Sequence, residues 1–260
     1  MDERLRNLQL ETAALMKKAD AALTAAGVPY YLVAGSVLGA MRHRGFIPWD
    51  DDMDIAVRRV HLAAAERALA AIPDCLYEPT EQHIVPDAPT GHLRAGEDST
   101  PVTERPTIDV FALDNTPDDP RAEDRQWMWA KVYHQCVLGR PPQNRGKLGK
   151  LAGTLFLAVC RGRVRLWLQN KAKAQITRYN GEPTARIANL YSLYGRRETM
   201  PAAYYGEPVR CLFEGMELPI PSDPEAYLTA LYGDWRTPPP PEQRVCRHRF
   251  TDITDTEVDG

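Results

Sequence analysis

The segment from Gly35 to Asp54, GSVLGAMRHRGFIPWDDDMD, constrains the fold most because it ends in four aspartates within five positions. Asp52 and Asp54 fall in a stretch, Asp52 to Val57, whose alternation predicts a β-strand. Alternation would place both carboxylates on one face of that strand, where they could share a hard cation. Acidic runs are often solvated loops, but this one lies between apolar residues. The segment therefore predicts a metal-dependent phosphoryl-transfer site.

A third carboxylate is expected on a neighbouring strand. Asp109 is the best candidate, because it occupies a polar position in the apolar run from Ile108 to Leu113. Ile108 and Val110 would hold this strand in the core. Magnesium prefers carboxylate and phosphate oxygens, so two or three such carboxylates and a substrate diphosphate would suit it, with manganese as the alternative ion. A calcium-binding EF-hand loop is excluded because its required glycine and closing glutamate are replaced by Ile55 and His61.

Gly35 and Ser36 are the candidates for contacting a phosphate. They follow a predicted strand, Tyr30 to Ala34, and precede a predicted helix, Val37 to His43, with Ser36 at its N-cap. Glycine lets a phosphate approach the backbone, and the serine hydroxyl and free helix amides can donate hydrogen bonds to it. When a Gly-Ser pair before a helix is the only signal, it more often forms a turn and a helix cap that bind no ligand.

Cationic side chains near both ends of the chain could complete the binding of an anionic donor. The glycine at 233 predicts the end of a helix, and Pro238 to Pro241 predicts an extended path that delivers the residues after it to a fixed place. An arginine fork suits phosphate. The candidates are Arg42, Arg44, Arg244 and His248, with Arg247 beside them. His43, as a lone histidine, is more readily a surface or capping residue than a base.

These segments together resemble the LicD family of the nucleotidyltransferase-fold superfamily, which includes the fukutin-related proteins. The resemblance covers Gly35 to Asp54, the IDVF sequence around Asp109 and the C-terminal YGDWRTPPPPEQRVCRH, and no resemblance is recognised in the middle third, from about residue 118 to 210. It implies an enzyme that transfers a phospho-alcohol, such as phosphocholine from CDP-choline, to a hydroxyl of a glycan such as lipopolysaccharide or teichoic acid. It further implies that Asp52, Asp54 and Asp109 are the catalytic metal ligands, and Gly35 and Ser36 the phosphate turn.

Two other activities use similar residues. The same site could transfer the nucleotidyl group itself, in which case pyrophosphate would be released. A D-x-D glycosyltransferase also binds a metal and a sugar nucleotide, but the Gly-Ser turn at this spacing disfavours it. A non-enzymatic surface adaptor would need aspartates that bind no metal.

The fold class expected is α/β (α+β), a nucleotidyltransferase-like mixed β-sheet flanked by helices with an added helical basic segment. The 260 residues, 43% of them hydrophobic, suffice for a full core. The expected divisions are a catalytic core at 1–117, the basic segment at 118–210, a C-terminal motif at 211–250 that packs on the core, and a disordered tail at 251–260. Pro79 to Thr107 predicts a long loop beside the metal site.

The expected location is cytoplasmic, with any membrane contact peripheral at the inner face. Five cysteines without a C-x-x-C pair argue against a disulfide framework and a structural zinc site. The N-terminus predicts an amphipathic helix and not a signal peptide, and no stretch is long and apolar enough to span a membrane.

A one-sided charge distribution marks the middle of the chain. The segment from Arg125 to Gly181 has no acidic residue and contains twelve lysines and arginines. It could bind an anionic lipid surface, or it could be an ordinary helical subdomain with solvated lysines. The sequence favours neither interpretation, because the apolar residues of this segment do not fall on one face of a helix. No nucleic-acid module or stacking array is recognisable, so nucleic acid is not expected as a partner.

Overall fold

The computed structural model describes residues 3–79, 90–95, 105–139, 146–192 and 194–246, and the fold is the predicted mixture of α and β. The α-helices of these residues are α1 Glu3–Ala25, α2 Ala34–His43, α3 Arg59–Ala70, α4 Pro120–Leu138, α5 Gly146–Val159, α6 Gly162–Ile176, α7 Ala202–Tyr205 and α8 Pro224–Tyr232. The strands are β1 Tyr31–Leu32, β2 Met53–Arg58, β3 Cys75–Glu78, β4 Gly91–Ala95, β5 Thr107–Thr116, β6 Arg186–Ala188, β7 Thr199–Pro201, β8 Val209–Phe213 and β9 Met216–Ile220.

Seven strands form one sheet, with β1, β2, β5, β4 and β3 as neighbours in that order. The last residues of β5 pair with β6, which pairs in turn with β7. Strands β8 and β9 form a separate antiparallel hairpin. The order matters for the site because β2 and β5, which carry the predicted metal ligands, are hydrogen-bonded neighbours.

The described residues divide into two compact units. The first contains 3–79, 91–95, 105–112 and 203–246, and the second contains residue 90, 113–139, 146–192 and 194–202. The division expected at residues 117 and 210 stays a prediction, and the tail at 251–260 lies outside the described residues.

The first unit is built on the buried faces of α1 and of the central strands. The α1 stripe predicted from helical spacing is buried, including Leu5, Leu15 and Leu23. Ile108 and Val110 of β5 are fully buried, as predicted for the face opposite Asp109. Apolar side chains fully removed from water stabilise the fold by about 1.5–3 kcal/mol each.

Three local predictions need correction. Strand β2 begins at Met53, so Asp52 precedes it. Helix α2 begins at Ala34 and has Val33 as its N-cap without a side-chain cap, so Ser36 lies inside the first turn. The expected loop from Pro79 to Thr107 contains a strand, β4, which pairs with both β3 and β5.

The C-terminal motif follows its prediction in part. Helix α8 ends at Tyr232 with Gly233 as its C-cap, as expected. The proline run is extended only to Pro240, because residues Pro241–Gln243 form a 3₁₀ turn. Arg247 and His248 lie outside the described residues.

The second unit contains the helices of the basic segment. Asp119 caps α4 by accepting hydrogen bonds from the next amides, and Pro120 occupies the first helical turn, where its missing N–H costs nothing. Helix α4 packs on α6 through a cluster that includes Trp127, Tyr133 and Ile176. The five cysteines, all of them within the described residues, form no disulfide bond. None of the described helices is long and apolar enough to cross a membrane.

An ion pair connects α1 to the turn between β8 and β9. Arg6 of α1 donates to both carboxylate oxygens of Glu214, at 2.9 and 2.7 Å. The Phe46 amide also donates to Glu214, at 3.3 Å. These bonds, first those from the Arg6 guanidinium, hold the pKa of Glu214 below its usual range.

Glu214→Gln is expected to lower the free energy of unfolding near neutral pH by about 1 kcal/mol, because the pair is partly exposed. The pKa of Glu214 is lower in the folded chain than in the unfolded chain. The difference in the free energy of unfolding between wild type and variant is therefore fully present above the unfolded pKa of about 4.3, and it is lost as the pH falls through the folded pKa. Urea denaturation at several pH values measures this. Glu217→Gln, at an exposed position of β9, is the control, and an equal difference at acid and neutral pH would contradict the assignment.

Candidate metal centre and donor-binding site

Three carboxylates converge where β2 lies beside β5. Asp52, Asp54 and Asp109 each offer an oxygen, and these oxygens all lie within 4.8 Å of one another. Each of the three residues is half-buried, so the group is open to a ligand on one side. The structure thus brings together the residues that the sequence analysis selected from two distant segments. Hard oxygen ligands at this separation suit a small divalent cation.

Asp52 also belongs to a second cluster of three carboxylates. Asp50 and Asp51 also offer oxygens within 4.8 Å of Asp52. Asp51 is fully buried, whereas Asp50 is half-buried beside the start of α2. A Cβ atom at Gly35 would lie 2.7 Å from the Asp50 carboxylate, so a larger residue there would require that carboxylate to move. The side chain nearest to Gly35 is therefore a carboxylate, where the sequence analysis expected a phosphate to approach.

Ser36 connects the start of α2 to the aspartates. Its hydroxyl oxygen accepts a hydrogen bond from the Asp54 amide at 2.8 Å, and the residue is buried. The hydroxyl proton can still be donated to a ligand oxygen. Ala34, two residues before, has a left-handed backbone with φ of 47°, and its amide donates to the Tyr227 hydroxyl at 2.9 Å. Non-glycine residues in this conformation are strained and are held by their surroundings.

His92 is a site residue that the sequence analysis missed. It lies on β4 directly opposite Asp109 in the strand register, and its Nδ1 is 2.7 Å from Asp109 Oδ1. The side chain is 1% exposed, and its Nε2 has no hydrogen-bond partner in the part of the chain that the structure describes. A carboxylate facing Nδ1 favours the tautomer with the proton on that nitrogen. The only signal in the sequence was the alternation of polar residues in GHLRA, within a segment predicted to be a loop.

Gln9 of α1 was also missed. Its carboxamide donates to the Asp50 carbonyl at 2.8 Å and to the Ile47 carbonyl at 3.3 Å, and the residue is fully buried. A glutamine in an amphipathic helix carries no local sign of this role, because its partners lie about forty residues away. The contact fixes the backbone from which the aspartate run starts.

Two of the predicted cationic residues lie close together. Arg42 donates from Nη1 to the Trp235 carbonyl at 2.8 Å and from Nε to Nε2 of His43 at 2.9 Å. Burial, and then the nearby charge of Arg244, lower the pKa of Arg42. The Arg244 guanidinium lies over the Trp49 ring, 5.6 Å from its centre. This Arg42–Arg244 pair is therefore next to Trp49, the residue that precedes the aspartate run.

The remaining cationic candidates are placed differently. Arg44 is exposed and ends α2 in the left-handed conformation, with its carbonyl accepting from the Glu214 amide at 3.0 Å. His43 is half-buried, and burial followed by the charge of Arg42 lowers its pKa, so it accepts the Arg42 hydrogen bond as a neutral ring. His248 lies outside the described residues.

Comparison with known proteins gives a family and two kinds of relative. Residues 27–136, which include all three converging aspartates, match the family described as LicD/FKTN/FKRP, nucleotidyltransferase domain. The lipopolysaccharide cholinephosphotransferase LicD of Haemophilus influenzae is 25% identical over 252 residues, which is 85% of this chain and 87% of that protein.

The ribitol 5-phosphate transferase FKRP of mouse and of human is 57% identical over a segment of 35 residues, which is 14% of this chain and 7% of that protein. The match to FKRP is thus local, whereas the match to LicD extends over most of both chains. Residues 27–136 thus match a LicD-family domain, and the chain is similar to a LicD protein over most of its length.

Proposed function

We propose that this chain transfers a phospho-alcohol group, such as phosphocholine, from a CDP-linked donor to a hydroxyl of a glycan or cell-surface polysaccharide precursor. The observation that carries the proposal is the convergence of Asp52, Asp54 and Asp109 within 4.8 Å in a chain whose relatives are named for transfer of cholinephosphate and ribitol 5-phosphate. Both transferred groups are phosphate esters of an alcohol, so the two names agree on the reaction class.

The cluster of three carboxylates fits Mg²⁺ or Mn²⁺. It consists of oxygen ligands alone, and Asp109 is oriented by His92, an arrangement typical of ligands held by an outer hydrogen bond. Asp52, Asp54 and Asp109 would hold the ion, leaving positions for donor phosphate oxygens. A bound ion would neutralise part of the negative charge of the donor diphosphate.

Residues of the chain itself would position the donor. The Ser36 hydroxyl, already fixed by the Asp54 amide, retains a proton that it can donate to a phosphate oxygen. The Arg42–Arg244 pair supplies two cationic forks next to Trp49, and such forks bind phosphate oxygens in pairs. Two guanidinium groups held near each other favour an anion between them, because it relieves their repulsion.

The reaction is an in-line displacement at the phosphorus that carries the alcohol. The acceptor hydroxyl oxygen forms a new P–O bond, and the bond from that phosphorus to the oxygen of cytidine monophosphate breaks. The hydroxyl proton passes to a base, for which Asp109 is the candidate. The arginine pair stabilises the negative charge that develops on the departing nucleotide.

The proposal predicts the products of the reaction. With CDP-choline, CDP-ribitol or CDP-glycerol, Mg²⁺ and a panel of oligosaccharide acceptors, phosphorus NMR should detect cytidine monophosphate and a new phosphodiester with one of the donors. Asp54→Asn and Asp109→Asn should lower the rate by on the order of a hundredfold or more, since each removes a charged ligand. Asp74→Asn, at an exposed turn position, is the matched control.

Two outcomes would contradict this proposal. Release of pyrophosphate from a nucleoside triphosphate would assign the site to nucleotidyl transfer, and turnover of a sugar nucleotide alone would assign it to glycosyl transfer. If Asp50→Asn lost the activity and Asp109→Asn kept it, the metal site would instead be assigned to the cluster of Asp50, Asp51 and Asp52.

His92 is predicted to be a positioning residue for Asp109. His92→Leu removes the bond to Asp109 and should raise the Mg²⁺ concentration for half-maximal rate by about 10–100-fold, with most of the rate recovered at saturating Mg²⁺. His92→Asn keeps a donor near the Nδ1 position and should shift this concentration only a few-fold. A purely structural role would instead lower the melting temperature of both variants without changing the metal dependence.

A further inference from the structure

Helix α5 of the second unit presents four large apolar side chains to solvent. Leu148, Leu151, Leu155 and Val159 are between 57% and 84% exposed. Their spacing of three, four and four residues keeps them on one face of the helix, as a continuous stripe. The sequence analysis found no clean apolar face in the basic segment as a whole, but the structure reveals one within α5.

The opposite side of α5 is the side that contacts the protein. Gly153 is the only buried residue within this helix, and it lies across from the stripe in the helical rotation. An amphipathic helix in a globular protein normally turns its apolar side chains inward. Helix α5 is apolar on both sides, because Phe156 and Leu157 are half-buried while the stripe is exposed. The stripe is therefore a surface available to a partner.

The charges around the stripe are all of one sign. Lys147 and Lys150 of α5 are exposed, as are Arg161 and Arg163 just after it. The whole segment from Arg125 to Gly181 has no aspartate or glutamate. An apolar face bordered only by cations matches a partner that is both apolar and anionic.

The start of α6 has the same character. Leu166 and Trp167 are 61% and 58% exposed. The Lys171 ammonium lies 4.9 Å from the centre of the Trp167 ring. Tryptophan beside a lysine is favoured at the boundary between lipid and water, where the ring and the charge are both accommodated.

We propose that α5 and the start of α6 bind the surface of an anionic lipid bilayer, with the Leu148–Val159 stripe inserted among the acyl chains and the surrounding cations at the headgroups. A second copy of the chain is disfavoured as the partner, since pairing this face with itself would bring two cationic segments together without acidic partners. Nucleic acid is disfavoured because the stripe is aliphatic and Trp167 stands alone as an exposed ring on α6. This inference does not depend on the proposed transferase activity.

The test is flotation of the full chain with phosphatidylcholine vesicles that contain or lack phosphatidylglycerol. The wild type should float with the anionic vesicles, and raising the salt concentration from about 0.1 M to about 0.5 M should weaken this binding. The triple variant Leu148→Gln/Leu151→Gln/Leu155→Gln should lower the partition coefficient by at least about tenfold, since it removes the inserted apolar surface. Lys147→Gln/Lys150→Gln should weaken binding to anionic vesicles alone.

The matched control is Leu10→Gln/Val60→Gln, which changes exposed apolar residues on α1 and α3 and should float like the wild type. Because the substituted leucines are exposed, the triple variant should retain the wild-type melting temperature. Failure of the wild type to float, or equal flotation of the triple variant, would overturn the proposal. A concentration-dependent dimer that the triple variant abolishes, without vesicle binding, would assign the face to a second copy instead.

Discussion

Mutual repulsion among three carboxylates is the constraint on which the candidate site depends. Oxygens of Asp52, Asp54 and Asp109 lie within 4.8 Å of one another. Two unit charges about 4 Å apart interact by about 4 kcal/mol at an effective dielectric constant of about 20. That is a large part of the roughly 5–15 kcal/mol by which a domain is stable. The fold must therefore hold these side chains against repulsion that a bound cation would remove.

In the first unit, side chains from three different elements hold the aspartates in place. The Ser36 hydroxyl fixes the Asp54 amide, His92 fixes the Asp109 carboxylate, and Gln9 fixes the Asp50 carbonyl. Each of these three side chains is at least nine-tenths buried. Because buried polar groups are costly without partners, these bonds keep the site geometry in place before any ligand arrives.

The sequence predicted those features that depend on local pattern. Alternation around Asp54 and Asp109 identified two strands, helical spacing identified α1, and the glycine at 233 identified the end of α8. The resemblance to a family supplied the reaction class, which no periodicity could supply.

The features that the sequence did not predict depend on contacts between distant segments. His92 is defined as a site residue only by the register of β4 on β5, and Gln9 only by the packing of α1 on the loop before Asp50. Ser36 was expected to cap a helix because serine often does, but its hydroxyl instead bonds to a strand amide. The roles of these three residues are set by tertiary contacts, which local sequence propensity does not reveal.

We propose that Asp52, Asp54 and Asp109 hold a divalent ion to which the donor diphosphate binds. Isothermal titration calorimetry of CDP-choline, CDP-ribitol and CDP-glycerol, with and without Mg²⁺, tests it most directly on the wild type and on Asp52→Ala/Asp54→Ala. One donor should bind only when Mg²⁺ is present, and the double variant, still folded, should lose this binding. Donor binding that is independent of Mg²⁺, or equal in the double variant, would contradict it.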